Sequence, residues 1–187
     1  MIDFRDLFQR SLDYRDFLQR FASPADMNRW KNSFEQIVLT AEQQQLLARF
    51  KRRMYVLCMA GTWCGDCVRQ CPIMEYFAQT SPQISLRFFD RDAEREAAGE
   101  WTICGAPRVP QVVFLSEDFE FVARFGDRTL TQYRQMEMKL TGATCASGLV
   151  IPGDPIQLST IAEWLAEFER AQLILRTSPK LRQRHGD

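Results

Sequence analysis

Seven consecutive apolar residues, Met54-Tyr55-Val56-Leu57-Cys58-Met59-Ala60, stop at Gly61-Thr62-Trp63 and run directly into Cys64-Gly65-Asp66-Cys67. A run of this length is short for a helix and suits a strand covered on both faces. Helical spacing follows from about 67 to 79, interrupted by Pro72, whose ring removes a backbone donor and is expected to kink the helix. A strand that turns straight into a helix places Cys64 at the helix N-terminus. There, backbone N–H groups and the helix dipole favour an anion and lower a thiol from its free value of about 8.5. Cys67 lies one turn further along, near enough to close a disulfide and less open to a partner. The expectation is a redox pair in which Cys64 attacks and Cys67 resolves.

The rest of the chain alternates helix and strand around this segment. Upstream, Phe4, Leu7, Phe8, Leu12, Phe17, Leu18 and Phe21 recur at helical intervals between charges, which reads as one amphipathic helix docked on the domain's own core. Ser23-Pro24 opens a short helix to about residue 33, and Thr40 with Gln43 makes a capping box for another over 41–52. Downstream, strands are expected at 84–89, 111–115 and 119–125, the last two as a hairpin, with short helices at 93–99 and 129–140. Residues 141–155 read as a loop, and Thr160 with Glu163 opens a final helix. The tail from Thr177, which holds the sole histidine, His185, is expected to fray. The predicted architecture is α/β: a central mixed sheet of four strands within residues 53–176, flanked by helices, with a helical extension over 1–52 and a flexible tail over 177–187.

Charge narrows the function. Lys and Arg together number 24, as do Asp and Glu, so no global positive field collects nucleic acid or an anionic membrane. Alternating acids and bases in the first twenty residues leave no apolar stretch for a signal peptide, and no segment is long and apolar enough to span a bilayer. A cytoplasmic location is expected. Six cysteines in a reducing compartment are then catalytic, metal-binding or buried rather than a structural disulfide framework.

With Trp63-Cys64-Gly65-Asp66-Cys67, Pro72 five residues later and Val109-Pro110 ahead of the hairpin, the chain resembles the thioredoxin superfamily over roughly residues 50–140. Within it the chain is most similar to a bacterial branch with a Cys-Gly-Asp-Cys motif. The resemblance implies a cis bond at Pro110, with Pro107 a weaker candidate, and backbone groups at Val109 that bind an extended polypeptide. It also implies partner contact at Trp63 and no organic cofactor. The expected partners are a disulfide-containing protein and an unidentified reductant. Two departures matter. Cys58 stands where the family has a buried acid that assists proton transfer to the second cysteine, and Asp66 replaces a proline. The Asp66 carboxylate opposes a Cys64 thiolate but favours the helix terminus, and a less acidic Cys64 and a reducing protein are the expected outcome.

Other readings stay open at this point. Cys64-x-x-Cys67-x-x-x-Cys71-Pro72 also matches part of a ferredoxin run, which would make the segment an iron–sulfur or zinc module, although the preceding cysteine of that run is missing. A non-catalytic binding scaffold is a further alternative. Cys58 and Cys71 read chiefly as small core residues, and Cys104 and Cys145 as unpaired loop thiols, Cys104 near enough in sequence to Pro110 to approach the site. The run Arg91, Asp92, Glu94, Arg95, Glu96 reads as a solvated face.

Overall fold

A computed structural model describes residues 2–141 and 156–187. The apolar run forms strand β1 (Met54–Ala60), and from Val56 onward it is sealed from solvent on both faces. It is paired in parallel with β2 (Ile84–Asp90) and antiparallel with β3 (Gln111–Leu115), which pairs antiparallel with β4 (Phe121–Gly126). The spatial order is β2-β1-β3-β4, the four-stranded mixed sheet that was expected. A one-residue slip would exchange the two faces of every strand. The register sets Cys58 opposite Phe88 on one side and Val112 on the other.

Helices cover both faces. On the Cys58 face lie α5 (Gly65–Thr80) and α8 (Ile156–Thr177), where Phe168 meets Phe77 and Phe114 edge-on with centroids 5.3 and 5.0 Å away. The helix α5 continues through Pro72. On the opposite face, Phe8 of α1 (Phe4–Arg10) packs on Tyr55, with Trp101 nearby at the end of α6 (Arg95–Glu100). The chain is completed by α2 (Tyr14–Phe21), α3 (Pro24–Glu35), α4 (Ala41–Ala48), α7 (Leu130–Thr141) and α9 (Pro179–His185).

The aromatic stripe of the first twenty residues does dock on the core, but as two helices. Between α1 and α2, Leu12 exchanges two backbone hydrogen bonds with Phe88 at 2.9 and 2.7 Å, extending the sheet at the β2 edge, and Asp13 caps α2. Covering an open strand edge outweighs one more helical turn here. The capping box at Thr40 and Gln43 is formed, although α4 ends at Ala48. The final helix starts before Thr160, whose hydroxyl instead donates to Ile156 O. Glu163 acts elsewhere, accepting from the backbone N–H groups of Leu130 and Thr131 that open α7.

The tail departs most from its expectation. Ser178 caps α9, and Lys180, Arg184 and His185 pair with Glu117, Asp118 and Glu120 at the β3–β4 turn. Leu181 is buried beneath them. The alternating basic residues that suggested a solvated tail meet an acidic hairpin turn far away in sequence. The loop read over 141–155, with Cys145, lies outside the described residues beyond Thr141.

Candidate active site

The C-terminal end of β1 releases the chain into the turn Gly61-Thr62-Trp63, and Cys64 follows as the N-cap of α5. Its N–H donates to Gly61 O at 3.0 Å and its carbonyl accepts from Val68 N at 3.0 Å. The Cys64 side chain does not cap the helix, so its sulfur is free for other contacts. It is half-buried, whereas Cys67 is fully buried.

The turn is held from the N-terminal helices. Trp30 of α3 is wholly buried, and its indole N–H donates to Thr62 O at 2.8 Å. The Thr62 hydroxyl donates in turn to Phe21 O at the end of α2 at 3.0 Å. Sequence reading placed Trp30 only inside a helix and gave it no role. Nothing local signals that this indole reaches the turn before Cys64.

Trp63 is 48% exposed. One face meets the Arg91 guanidinium 4.5 Å from the ring centroid, a cation–π contact, and Arg91 in turn pairs with Asp92 at 2.9 Å. Hydrogen bonding to Asp92, with the nearby charges of Asp92, Asp90 and the Cys64 sulfur, holds Arg91 above its ordinary range. Arg91 thus borders the site, whereas Asp92, Arg95 and Glu96 are exposed as the charge run suggested. Gly61 provides the room: a Cβ there would lie 2.8 Å from the Trp63 ring. Gly61→Ala should push the indole off Arg91, shift tryptophan fluorescence and raise KM for a protein disulfide severalfold. Because the ring is half-exposed and can move, stability should fall by no more than about 1 kcal/mol. Unchanged fluorescence and KM would show that Trp63 does not depend on this space.

Across the sulfur, the Val109–Pro110 peptide is cis, and the Cys64 thiol donates to Val109 O at 3.7 Å. The Pro107 bond is not cis. Gly126 closes the back of this loop with φ +135°. A Cβ there would sit 2.4 Å from Pro110 O, so the last residue of β4 can approach the loop only as glycine.

Asp66 does not stand as an isolated charge between the cysteines. Its carboxylate pairs with Arg128 at 2.6 Å, and Arg128 also reaches the buried Asp127 at 3.2 Å. Partial burial works against the Arg128 charge, but Asp66 and Asp127 outweigh it and raise its pKa. The arrangement ties the start of α5 to the β4–α7 connection. Its electrostatic effect falls on the second cysteine: the Asp66 charge opposes ionisation of Cys67, while the Asp66 backbone favours a thiolate at Cys64.

The two thiols titrate together. At Cys67 burial opposes the charge, but interactions with the Cys64 and Cys71 thiols and the Gly61 backbone prevail and bring it below the ordinary thiol range. Cys64 is pushed up, first by its interaction with the Cys67 sulfur and then by burial. The pair therefore holds one negative charge readily and a second with difficulty. That charge belongs to the pair and access belongs to Cys64, so attack is carried by the arrangement in which the remaining proton is on Cys67. The reduced-minus-oxidised thiolate absorbance should accordingly rise in two steps, one below and one above the free value of about 8.5. A single two-thiol step at the free value would contradict this coupling.

Cys71 and Cys58 continue the line of sulfurs inward, 3.9 Å apart and both fully buried. Cys104 is exposed and unpaired, with φ 51°. Among the described residues no group of three His, Cys, Asp or Glu side chains is arranged to hold a metal, and no helix is long and apolar enough to cross a membrane. Beside Gly65 runs a groove lined by Arg29, Asn32, Ser33, Val68 and Arg69.

Comparison with known proteins agrees with this fold. A solved protein of unknown function from Pseudomonas aeruginosa, PA1234, superposes with TM-score 0.71 at 18% identity, covering 91% of this chain and 99% of that one. An HIV epitope-scaffold protein superposes with TM-score 0.62 at 18% identity, covering 95% and 99%. Both show a shared fold that includes the N-terminal helices. Among curated proteins none matches. The family model described as thioredoxin matches residues 12–139, more than half of the 187-residue chain, and the chain belongs to the thioredoxin family.

Proposed function

We propose that the protein is a thiol-disulfide oxidoreductase of a Cys-Gly-Asp-Cys branch of this family, acting as a reductant of protein or small-molecule disulfides. The observation that carries the reading is the pair itself: an accessible sulfur at a helix N-terminus and a fully buried one three residues on in the first turn of the same helix. In the forward reaction the Cys64 thiolate attacks a substrate disulfide and the departing sulfur leaves as thiolate. Cys67 then attacks the Cys64 sulfur, releasing the second substrate thiol and leaving the Cys64–Cys67 disulfide. A thiol reductant returns the pair to its dithiol form, and no organic cofactor enters the cycle.

The surroundings fit an extended polypeptide. Trp63 presents an exposed aromatic face, and the backbone at Val109, next to Pro110, borders the Cys64 sulfur, so recognition through main-chain groups needs little sequence specificity. The five described cysteines, none in a structural disulfide, fit a cytoplasmic location. Catalytic amounts of the protein should accelerate reduction of insulin by dithiothreitol at least tenfold over the reductant alone. No acceleration would favour a binding scaffold over an enzyme.

A further inference from the structure

We propose that Cys58 and Cys71 form a second, buried redox pair that takes an oxidising equivalent from the Cys64–Cys67 disulfide through Cys71. The proposal rests on the redox reading of Cys64 and Cys67 and extends it from two thiols to four.

The placement of the sulfurs carries the argument. Cys58 comes from the middle of β1 and Cys71 from the second turn of α5, yet their sulfurs are 3.9 Å apart in a fully buried contact. Closing that gap to a bonded distance of about 2.05 Å requires the two sulfurs to approach from their 3.9 Å contact. Cys71 is the junction: it contacts Cys58 directly, and it lies one helical turn after Cys67 on the same side of α5, close enough for the two thiols to influence each other's ionisation. The four sulfurs therefore run inward in the order Cys64, Cys67, Cys71, Cys58, from half-exposed to fully buried. Two core cysteines used only as small apolar residues need not face each other, nor meet the resolving thiol. Tyr14 adds a polar group to this dry region: its hydroxyl is buried without a partner, close enough to feel a charge on Cys71.

The exchange balances without any outside oxidant. After Cys64–Cys67 has formed, the Cys71 thiolate attacks the Cys67 sulfur. The Cys67–Cys71 bond forms, the Cys64–Cys67 bond breaks, and its electron pair leaves on Cys64, which takes up the proton Cys71 lost. Cys58 then attacks the Cys71 sulfur, and Cys67 departs with the electron pair and gains the Cys58 proton. The surface pair ends as a dithiol and Cys58–Cys71 as a disulfide, two electrons having moved outward. Burial pushes both inner thiols up, so transfer is slow beside exchange at the surface, and the inner pair acts as a reserve that restores Cys64 and Cys67.

The test uses the full-length reduced chain under anaerobic conditions with excess 2-hydroxyethyl disulfide, sampled over time by acid quench, alkylation in denaturant and mass-spectrometric mapping. The proposal expects Cys64–Cys67 to appear first and Cys58–Cys71 later, with all four of these thiols consumed, apart from any mixed disulfide at the exposed Cys104. Cys71→Ala should consume two fewer. In Cys64→Ser, a change at a half-exposed position, Cys58–Cys71 should form at least tenfold more slowly. A Cys64–Cys67 disulfide that forms while Cys58 and Cys71 stay alkylatable would overturn the relay alone. Formation of Cys58–Cys71 at the same rate in Cys64→Ser would also overturn it, because oxidation would then bypass the surface pair. Absence of a Cys64–Cys67 disulfide would remove the underlying redox reading instead.

Discussion

Cys64→Ser should abolish insulin reduction, a loss of at least a thousandfold, while leaving the fold intact. A serine hydroxyl has no nucleophilic anion near neutral pH, and no other described sulfur combines access with a helix N-terminus; Cys104 is exposed but lies in a loop without that field. Cys67→Ser should behave differently. Its first step still runs, but the mixed disulfide on Cys64 has lost its resolving thiol, so a covalent adduct with substrate accumulates and turnover stops. The pair of variants separates attack from resolution, and mass spectrometry of the intact chain reads both. Persistent turnover in Cys64→Ser would transfer the reaction to another sulfur.

The second large effect is expected at Trp30. Trp30→Ala should destabilise the chain by about 3–5 kcal/mol, the usual cost of removing a fully buried large aromatic side chain. It should also release Thr62 and hence the turn that delivers Cys64. Trp30→Phe retains most of the packing but orphans the Thr62 carbonyl, with an expected cost of about 1–3 kcal/mol. Chemical denaturation gives the stabilities. The decisive readout is the rate of Cys64 alkylation in the folded Trp30→Phe variant, because a purely structural role would leave it unchanged. On this account the rate changes severalfold, since the indole N–H fixes the backbone two residues before the sulfur.

That coupling marks where sequence reading reached its limit. The strand 54–60 and the helix behind it were legible because a seven-residue apolar run, a turn and a Cys-x-x-Cys spacing are local signals that sterics and burial enforce together. The caps at Ser23 and Thr40 and the hairpin were legible for the same reason. The break at Leu12 was not: the helical periodicity of Phe4 to Phe21 spans it, and only the distant edge at Phe88 makes an extended residue preferable there. The α9 helix was hidden likewise, since its basic residues find their acidic partners across more than sixty residues of chain.

At the site, the cysteine pair was read from its spacing and Val109-Pro110 from the family resemblance, whereas their supports could not be found in either way. Arg128 carries no local mark that sets it apart from the chain's other arginines, yet it engages Asp66 and so changes what that carboxylate does. The sequence placed the Asp66 charge against Cys64; in the fold it bears on Cys67, and Cys64 is made less acidic by its interaction with the Cys67 sulfur and by burial. Arg91 looked like part of a solvated charge run because its target, the Trp63 ring, lies across the turn from it. Gly126 had one available signal, a glycine at the end of a strand, but its meaning depends on how closely β4 approaches Pro110.

The central claim is that Cys64 and Cys67 interconvert reversibly between dithiol and disulfide. The most direct measurement is a redox titration of the purified chain in dithiothreitol buffers, with acid quench, alkylation and mass mapping of this pair. A reversible two-electron transition at Cys64 and Cys67, lying at a potential reducing enough to favour disulfide reduction, is the predicted result. Cysteines that never pair at any buffer ratio would contradict it.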